Sequence, residues 1–325
     1  MTTYSWRLLR AGRFKLDGGS MFGLVPRVVW SRTVQPDDRG RIAVQHNCLL
    51  LEAAGSPAPG AVLPSPKLVL IETGSGDKLD AKSKDIFDLE NRSIQDALHE
   101  AGCRPEDINL VATTHLHFDH SGGLTRLARP GETPDWTGPG SGGTDHGVKF
   151  TFPNAPVVTQ VREWSDALAN RSVMTRTYFR DHLEPIKDRI TLVDSPRPFT
   201  LGTIPDRGAE PPAPVELRET PIAQGLSVFL VPGHTWGQQA IKFTDTRGRT
   251  VVFTPDVMPT VHHLGAAYSL GYDVEPYTSM ISRQWFLAAA ADRDWLLVLD
   301  HEPGNPLCRV RRNTKGWFDL IPDEA

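Results

Sequence analysis

The sequence predicts a mixed α/β (α+β) fold whose sheets combine parallel and antiparallel strands. Short apolar runs of strand length alternate with helix-patterned segments through most of the 325 residues. Gln239–Phe243 and Thr250–Thr254 flank Asp245-Thr-Arg-Gly248, a hairpin signal that a purely parallel sheet would lack. His115, His234, Asp256 and His301 each follow an apolar run almost at once. Polar groups at strand ends gather along one sheet edge, where loops can hold them around a cleft.

In chain order, Lys67–Ile71 reads as a buried strand. Ser93–Ala101 reads as a helix, with Ser93 as N-cap, Asp96 three residues on and Gly102 as its stop. Ile108–Thr113 is a strand that feeds a histidine-rich run, and Ser121-Gly-Gly-Leu124 opens a short helix after it. Pro156–Thr159 is a strand and Arg162–Leu168 a helix. Leu226–Val231 is a strand ending at Pro232-Gly233-His234; Ser279–Ala291 is a helix, and Trp295–Leu299 a strand ending at Asp300-His301. Arg129–Gly147, with Trp136 as an anchor, and Ile204–Pro214 are dense in turn residues and read as surface loops. Neither is long enough to mark a boundary, so residues 1–325 read as one domain.

The formal charge of −4 gives no electrostatic reason to expect nucleic acid or an anionic membrane as partner. The N-terminus lacks a secretory apolar core, and no apolar run approaches membrane-spanning length. Cys48, Cys103 and Cys308 are odd in number and widely spaced, which fits a reducing cytoplasm rather than a disulfide framework. None forms a C-x-x-C pair, so any metal must be held by histidine and carboxylate.

Thr114-His-Leu-His-Phe-Asp-His120 carries that chemistry. On an extended backbone His115 and His117 point to one side, where one ion can take both. Asp119 and His120 point elsewhere and can serve a second ion. Adding the later residues, His115, His117 and His234 form one site, Asp119, His120 and His301 the other, and Asp256 bridges them. Two divalent ions so held share a hydroxide nucleophile and polarise the substrate oxygen. Zinc is the default, while iron, manganese and cobalt also suit mixed His/Asp ligands. Asp119 also has a catalytic role, because its free oxygen can carry a proton toward the leaving group.

Thr-His-Leu-His-Phe-Asp-His-Ser-Gly-Gly at 114–123, Pro-Gly-His-Thr at 232–235, Thr-Pro-Asp at 254–256, Leu-Asp-His at 299–301 and Leu-Ile-Glu-Thr-Gly-Ser-Gly at 70–76 together resemble the metallo-β-lactamase superfamily. The resemblance runs from about residue 68 to 303 and implies a four-layer αββα sandwich of two mixed sheets, with the metals at one edge. The absence of a ligating cysteine and the carboxylate at Asp256 point away from β-lactam hydrolysis, toward lactonase-, phosphotriesterase- and glyoxalase II-like members. Phe14–Trp30, Asp256–His263 and Gly271–Pro276 resemble quorum-quenching lactonases and methyl parathion hydrolase-like relatives. The resemblance implies that residues 1 to about 40 are an extension flanking the active site, of a kind that can support a homodimer.

Two positions depart from the pattern. Glu72 stands where the family carries Asp, a carboxylate that orients a metal-bound histidine. Pro259 stands where some lactonases carry a tyrosine that hydrogen-bonds the lactone carbonyl; Tyr268, Tyr272 or His262 could take that role. Met21 and Phe22, with Val25, either form an apolar lip around the substrate or pack the sheet edge. His262 and His263 either line the pocket or form a loop pair held by backbone. His46, His99, His146 and His182 read as surface or capping residues.

The sequence therefore predicts a binuclear hydrolase of a small ester or lactone, with N-acyl homoserine lactones among its substrates. Phosphotriester or thioester hydrolysis on the same centre is the alternative. A non-catalytic metal- or signal-binding protein is the third reading, and a complete ligand set weighs against it.

Overall fold

Strand pairing in the computed structural model, which describes residues 2–55, 63–170, 177–199, 218–265 and 267–324, organises the chain as two mixed sheets packed face to face. The first has the order β1 (Thr3–Asp17), β2 (Arg41–Ala54), β3 (Leu68–Ile71), β4 (Leu110–Ala112), β8 (Val157–Gln160) and β9 (Ile190–Val193). The pairs β1–β2 and β2–β3 are antiparallel and the rest parallel. The second runs β10 (Thr220–Ala223), β11 (Leu226–Leu230), β12 (Gln239–Thr244), β13 (Thr250–Thr254), β14 (Leu296–Leu299), β15 (Leu307–Arg312) and β16 (Phe318–Pro322). There only β13–β14 is parallel.

Period-two side-chain alternation builds the layers. Leu49, Leu51, Val69 and Ile71 of the first sheet meet Val228, Ile241, Phe243, Val251, Phe253, Leu296 and Val298 of the second in one inter-sheet core. The intervening residues point outward. Leu70, Val111 and Val157 pack under α4 (Ile94–Glu100), through Ile94, Ala97 and Leu98. Val252, Leu297 and Leu299 pack under α8 (Pro276–Asp292), through Trp285, Phe286 and Ala290. The result is the αββα sandwich.

Local signals explain the helix ends. Asp80 caps α3 (Ala81–Phe87) by accepting from the Ser83 N–H at 2.7 Å. Ser93 and Asp96 form a reciprocal capping box on α4, and Gly102 follows it at φ +72°. Helix α8 starts at Pro276, three residues before the expected Ser279, because proline suits the first helical position. No helix among the described residues is long and apolar enough to cross a membrane.

Three local expectations need correction. Arg129–Gly147 is not simply loop: β5 (Thr125–Leu127), β6 (Trp136–Pro139) and β7 (Asp145–Phe150) form a small third sheet. Its turn residues are shared between the turn at Arg129–Glu132, which joins β5 to β6, and the tight β6–β7 connection, and the Trp136 ring covers Gly138, so turn-rich composition hid two strands. The helix placed at Ser121 begins inside the histidine run, as α5 (Phe118–Ser121), followed by a 3-10 turn at Gly122–Leu124. His46 and His182 are buried rather than at the surface. His46 stacks on Phe14 at 4.0 Å and reaches the Gly12 carbonyl and Ser75, while His182 lies inside the short helix α7 (Arg180–Leu183). The stretch Ile204–Pro214 lies outside the described residues.

In residues 1–40, β1 is the edge strand of the first sheet, paired with β2 from Thr3 to Asp17. Two short helices follow, α1 (Gly18–Phe22) and α2 (Arg27–Trp30). Packed against α1 are His263 and the segment 268–271, where Gly271 N–H donates to the Ser20 carbonyl and Gly23 lies against Ser269.

Candidate metal centre

The loops leaving β4, β11, β13 and β14 meet at one edge of the sandwich. Strand β4 ends at Ala112, and the chain stays extended through His117 (φ −60°, ψ 156°). It then coils into α5, so His115 and His117 come from extended backbone while Asp119 and His120 come from a helical turn. Gly123 makes the coil fit: a Cβ there would lie 2.2 Å from the Thr73 carbonyl oxygen. Gly233 does the same for His234. It has φ +140°, and a Cβ would lie 2.4 Å from Cα of Ser279 on α8.

All seven side chains expected as ligands converge. His234 Nε2 is 3.0 Å from His117 Nδ1 and 3.0 Å from Asp256 Oδ2, and His115 Nε2 is 3.7 Å from that oxygen. On the other side, His120 Nε2 is 3.7 Å from Asp256 Oδ2, and His301 Nε2 is 3.4 Å from Asp256 Oδ1. Asp119 stands 3.6 Å from His301 Nε2 and 3.9 Å from His120 Nε2. Asp256 thus lies between two groups of imidazoles.

Behind the cluster, acceptors hold the rings. His120 Nδ1 faces Glu72 Oε2 at 3.2 Å, His234 Nδ1 faces Asp273 Oδ1 at 3.0 Å, and His301 Nδ1 faces the Gln45 carbonyl at 3.0 Å. His115 Nδ1 is 3.0 Å from Thr114 Oγ1. An N–H directed backward leaves Nε2 with a lone pair directed at a metal. The longer Glu72 reaches His120 directly, and its other oxygen accepts from the Thr114 N–H. Glu72 has φ +66°, the left-handed region, a conformation costly for a residue with a Cβ.

Three supporting carboxylates carry no sign of their role in the sequence. Asp273 lies in the Gly-Tyr-Asp stretch, 39 residues from the histidine it holds. Glu163 is fully buried on α6 (Val161–Ala169) and accepts from Leu116 N–H at 2.9 Å, from Tyr178 O–H at 3.2 Å and from Thr235 Oγ1. It ties the His115–His117 loop to the His234 loop. Asp300 places its carboxylate with His120, Asp256 and His301, their ligand atoms all within 4.8 Å of one another.

Burial pushes His115 and His117 well below the usual imidazole range, and the neighbouring histidines add to it. Burial acts the same way on His120, but Glu72 and Asp119 outweigh it and hold that ring well above the range. His234 is pushed up to about 10, because Asp256 and Asp273 outweigh its burial. Asp256 is held well below the carboxylate range: burial would raise it, and His234 and His301 overcome that.

The residues fit divalent ions. His115 Nε2, His117 Nε2, Asp256 Oδ1 and both oxygens of Asp300 are buried with no hydrogen-bond partner. A buried polar atom left so costs about 1–3 kcal/mol. His115 Nε2, Asp256 and one Asp300 oxygen lie within the cluster, and His117 turns Nδ1 toward it, an arrangement that a set of metal ligands requires. The described residues contain two groups able to hold an ion, His115/His117/His234/Asp256 and His120/Asp256/Asp300/His301. No cysteine joins either.

The five substrate-side candidates separate. Met21 and Phe22 are 1 % and 0 % exposed, and Phe22 stacks between Trp30 at 5.2 Å and His263 at 5.0 Å. They pack the interior and do not form a lip, because the irregular Gly-rich backbone turns them inward. Tyr268 meets Phe22 edge-on at 5.9 Å, and His262 is half-buried on the 3-10 turn Val261–His263. Burial raises the Tyr272 phenol, a hydrogen bond with Ser20 offsets part of that, and the Asp17, Asp119 and Asp256 carboxylates raise it further. Tyr178 also borders the centre, with its ring 5.1 Å from that of His117 and its hydroxyl committed to Glu163.

A mixed αββα sandwich with a His/Asp cluster at its edge defines a metal-dependent hydrolase. Residues 44–301 match the metallo-β-lactamase superfamily model, and the chain belongs to that superfamily. A probable metal-dependent hydrolase from Staphylococcus aureus has a similar structure, with TM-score 0.74 and 22% identity over 99% of this chain and 98% of that one. So does AidC, a dizinc quorum-quenching lactonase solved with a product, with TM-score 0.66 and 17% identity over 99% and 95% of the two chains. An N-acyl homoserine lactone hydrolase with N-hexanoyl-L-homoserine at its catalytic metal centre gives TM-score 0.61 and 17% identity over 93% and 95%. No curated protein matches the sequence.

Proposed function

We propose that this chain is a two-metal hydrolase of small carboxylic esters, and that lactones, including N-acyl homoserine lactones, are its substrates. The observation that carries the reading is the Asp256 carboxylate set between two groups of buried imidazoles, with His115 Nε2 and Asp256 Oδ1 left without a hydrogen-bond partner. His115, His117 and His234 would hold one divalent ion, and Asp119, His120 and His301 the other, with Asp256 shared. Bound there, the ions supply Lewis acidity and a nucleophile from water at neutral pH. Zinc is the ion to test first, since three imidazoles and a carboxylate suit it.

The chain's own groups do the rest. Glu72, Asp273 and the Gln45 carbonyl fix the rings of His120, His234 and His301. Asp119 is the most exposed of the seven, at 8 %, so its carboxylate can meet both entering water and leaving oxygen. It takes the proton from the attacking water and returns it to the alkoxide as the ring opens. Tyr272 O–H donates to the substrate carbonyl oxygen, the role that Pro259 cannot fill. Its raised pKa keeps that proton in place. The lactonase neighbours favour lactones over other esters. Three unpaired, buried cysteines favour a reducing, cytoplasmic setting.

The test is elemental analysis of purified protein, together with a panel of N-acyl homoserine lactones, a chromogenic ester, a phosphotriester and a thioester. Two ions per chain and highest kcat/KM on a lactone are expected. The Tyr272→Phe variant should lose about 10-fold or more in kcat on lactones, the scale of one lost hydrogen bond to a developing oxyanion. Metal-loaded protein that favours the phosphotriester or thioester, or is inert to the whole panel, would refute the assignment.

A further inference from the structure

Asp300 is the feature of the centre that the two-metal reading leaves unused. It follows the last residue of β14 and precedes His301. Strand β2 pins its backbone: Asn47 N–H donates to the Asp300 carbonyl at 2.9 Å, and the Asn47 amide donates to the carbonyls of Leu299 and Glu302, each at 2.9 Å. The side chain therefore cannot swing out to solvent. Asp300 is 1 % exposed, and neither carboxylate oxygen has a hydrogen-bond partner. One of them joins the ligand atoms of His120, Asp256 and His301, all within 4.8 Å of each other. Two carboxylates facing each other in a dry interior repel strongly, and a cation between them is what balances such a pair.

We propose that Asp300 is a third carboxylate ligand of the second metal position, beside His120, His301, Asp256 and Asp119, and that it makes this position select a harder ion than its neighbour. The assignment rests on the two-metal reading above. The first position offers three imidazoles and one carboxylate, a set suited to Zn2+. The second offers two imidazoles and three carboxylates. That set favours higher coordination and oxygen-preferring ions, Mn2+ or Fe2+.

The experiment loads metal-stripped full-length protein anaerobically with equal Zn2+, Mn2+ and Fe2+ and measures ion content after gel filtration. Wild type should retain one Zn2+ and one Mn2+ or Fe2+ per chain. The nearly isosteric Asp300→Asn variant should keep the first Zn2+, which certifies its fold. It should lose the harder ion or replace it with Zn2+, with second-site retention weakened at least about 10–100-fold, the range for groups that only support a ligand. Two ions in Asp300→Asn with unchanged identity and affinity would overturn the Asp300 assignment alone. One ion per wild-type chain would overturn it together with the two-metal reading. Wild type loaded with Co2+ alone gives a check that needs no variant. The second equivalent should add the weak visible bands of five- or six-coordination, and strong tetrahedral bands from both equivalents would sink the proposal.

Discussion

Replacing Glu163 by alanine should damage both the fold and the centre, although Glu163 belongs to neither ion-binding group. Its carboxylate accepts from Leu116 N–H, Tyr178 O–H and Thr235 O–H in a fully buried site. The Leu116 N–H is fixed by the backbone between His115 and His117, so its loss of partner costs about 1–3 kcal/mol. The two hydroxyls can turn, and each loses about 1 kcal/mol. With the void left by the side chain, the total is about 3–5 kcal/mol, a large share of the roughly 5–15 kcal/mol that holds a domain together. Glu163→Gln keeps a carbonyl for Leu116 and an amide for Thr235, so it should cost only about 1–2 kcal/mol. Urea denaturation of the chelator-treated protein measures both. Graded chelation should strip the ion at His115, His117 and His234 from Glu163→Ala before the other ion. An alanine variant within about 0.5 kcal/mol of wild type, or equal loss of both ions, would refute the view of Glu163 as the clasp between the two loops.

Other outcomes follow from neighbouring geometry. Glu72→Gln presents an amide donor to His120 or Thr114; where His120 turns its tautomer in response, Nε2 carries the proton, and second-site metal affinity should fall about 10–100-fold by chelator competition. His263 is buried, with Nδ1 on Thr260 Oγ1 and Nε2 on the Met21 carbonyl, and burial lowers its pKa to about 3. Above pH 6.5 the ring is neutral folded or unfolded. Between about 6.5 and 3 only the unfolded chain takes the proton, so stability drains as pH falls, by on the order of 5 kcal/mol in all. His263→Gln should flatten that acid limb in denaturation series run from about pH 7 to 4. Gly233→Ala puts a Cβ into Ser279 at a positive φ, so it should cost several kcal/mol and displace His234, read as lost thermal stability together with lost first-site metal.

The seven ligand candidates were legible because metal chemistry concentrates unusual residue types at short spacing and at strand ends. The supporting groups were not. Glu163 lies 47 residues from Leu116 and Asp273 39 from His234, and an isolated acid in a helix or loop gives no local sign of its partner. Asp300 stands inside the Leu-Asp-His motif, but only the meeting of β14 with β2 makes its burial apparent. The inward turn of Met21 and Phe22 depended on Trp30 and on His263, far along the chain. β6 and β7 were hidden by glycine and proline, because composition marks a tight connection more loudly than the strands beside it. The long β1, with charged residues between its apolar ones, gave no buried-run signal, and pairing with β2 alone defines it as part of the sheet.

The centre takes its candidate ligands from both halves of the sandwich. His115, His117, Asp119 and His120 follow β4 of the first sheet, whereas His234, Asp256 and His301 follow β11, β13 and β14 of the second. On the proposed two-metal reading each ion would be a rivet through the joint, and its bond lengths would report how the sheets are seated. Slippage originating deep in the sandwich, from a shortened Phe243 or Val298, would be registered at the rivets long before the strands themselves came apart. For this chain, the earliest symptom of a loosening core would then be a leaking metal.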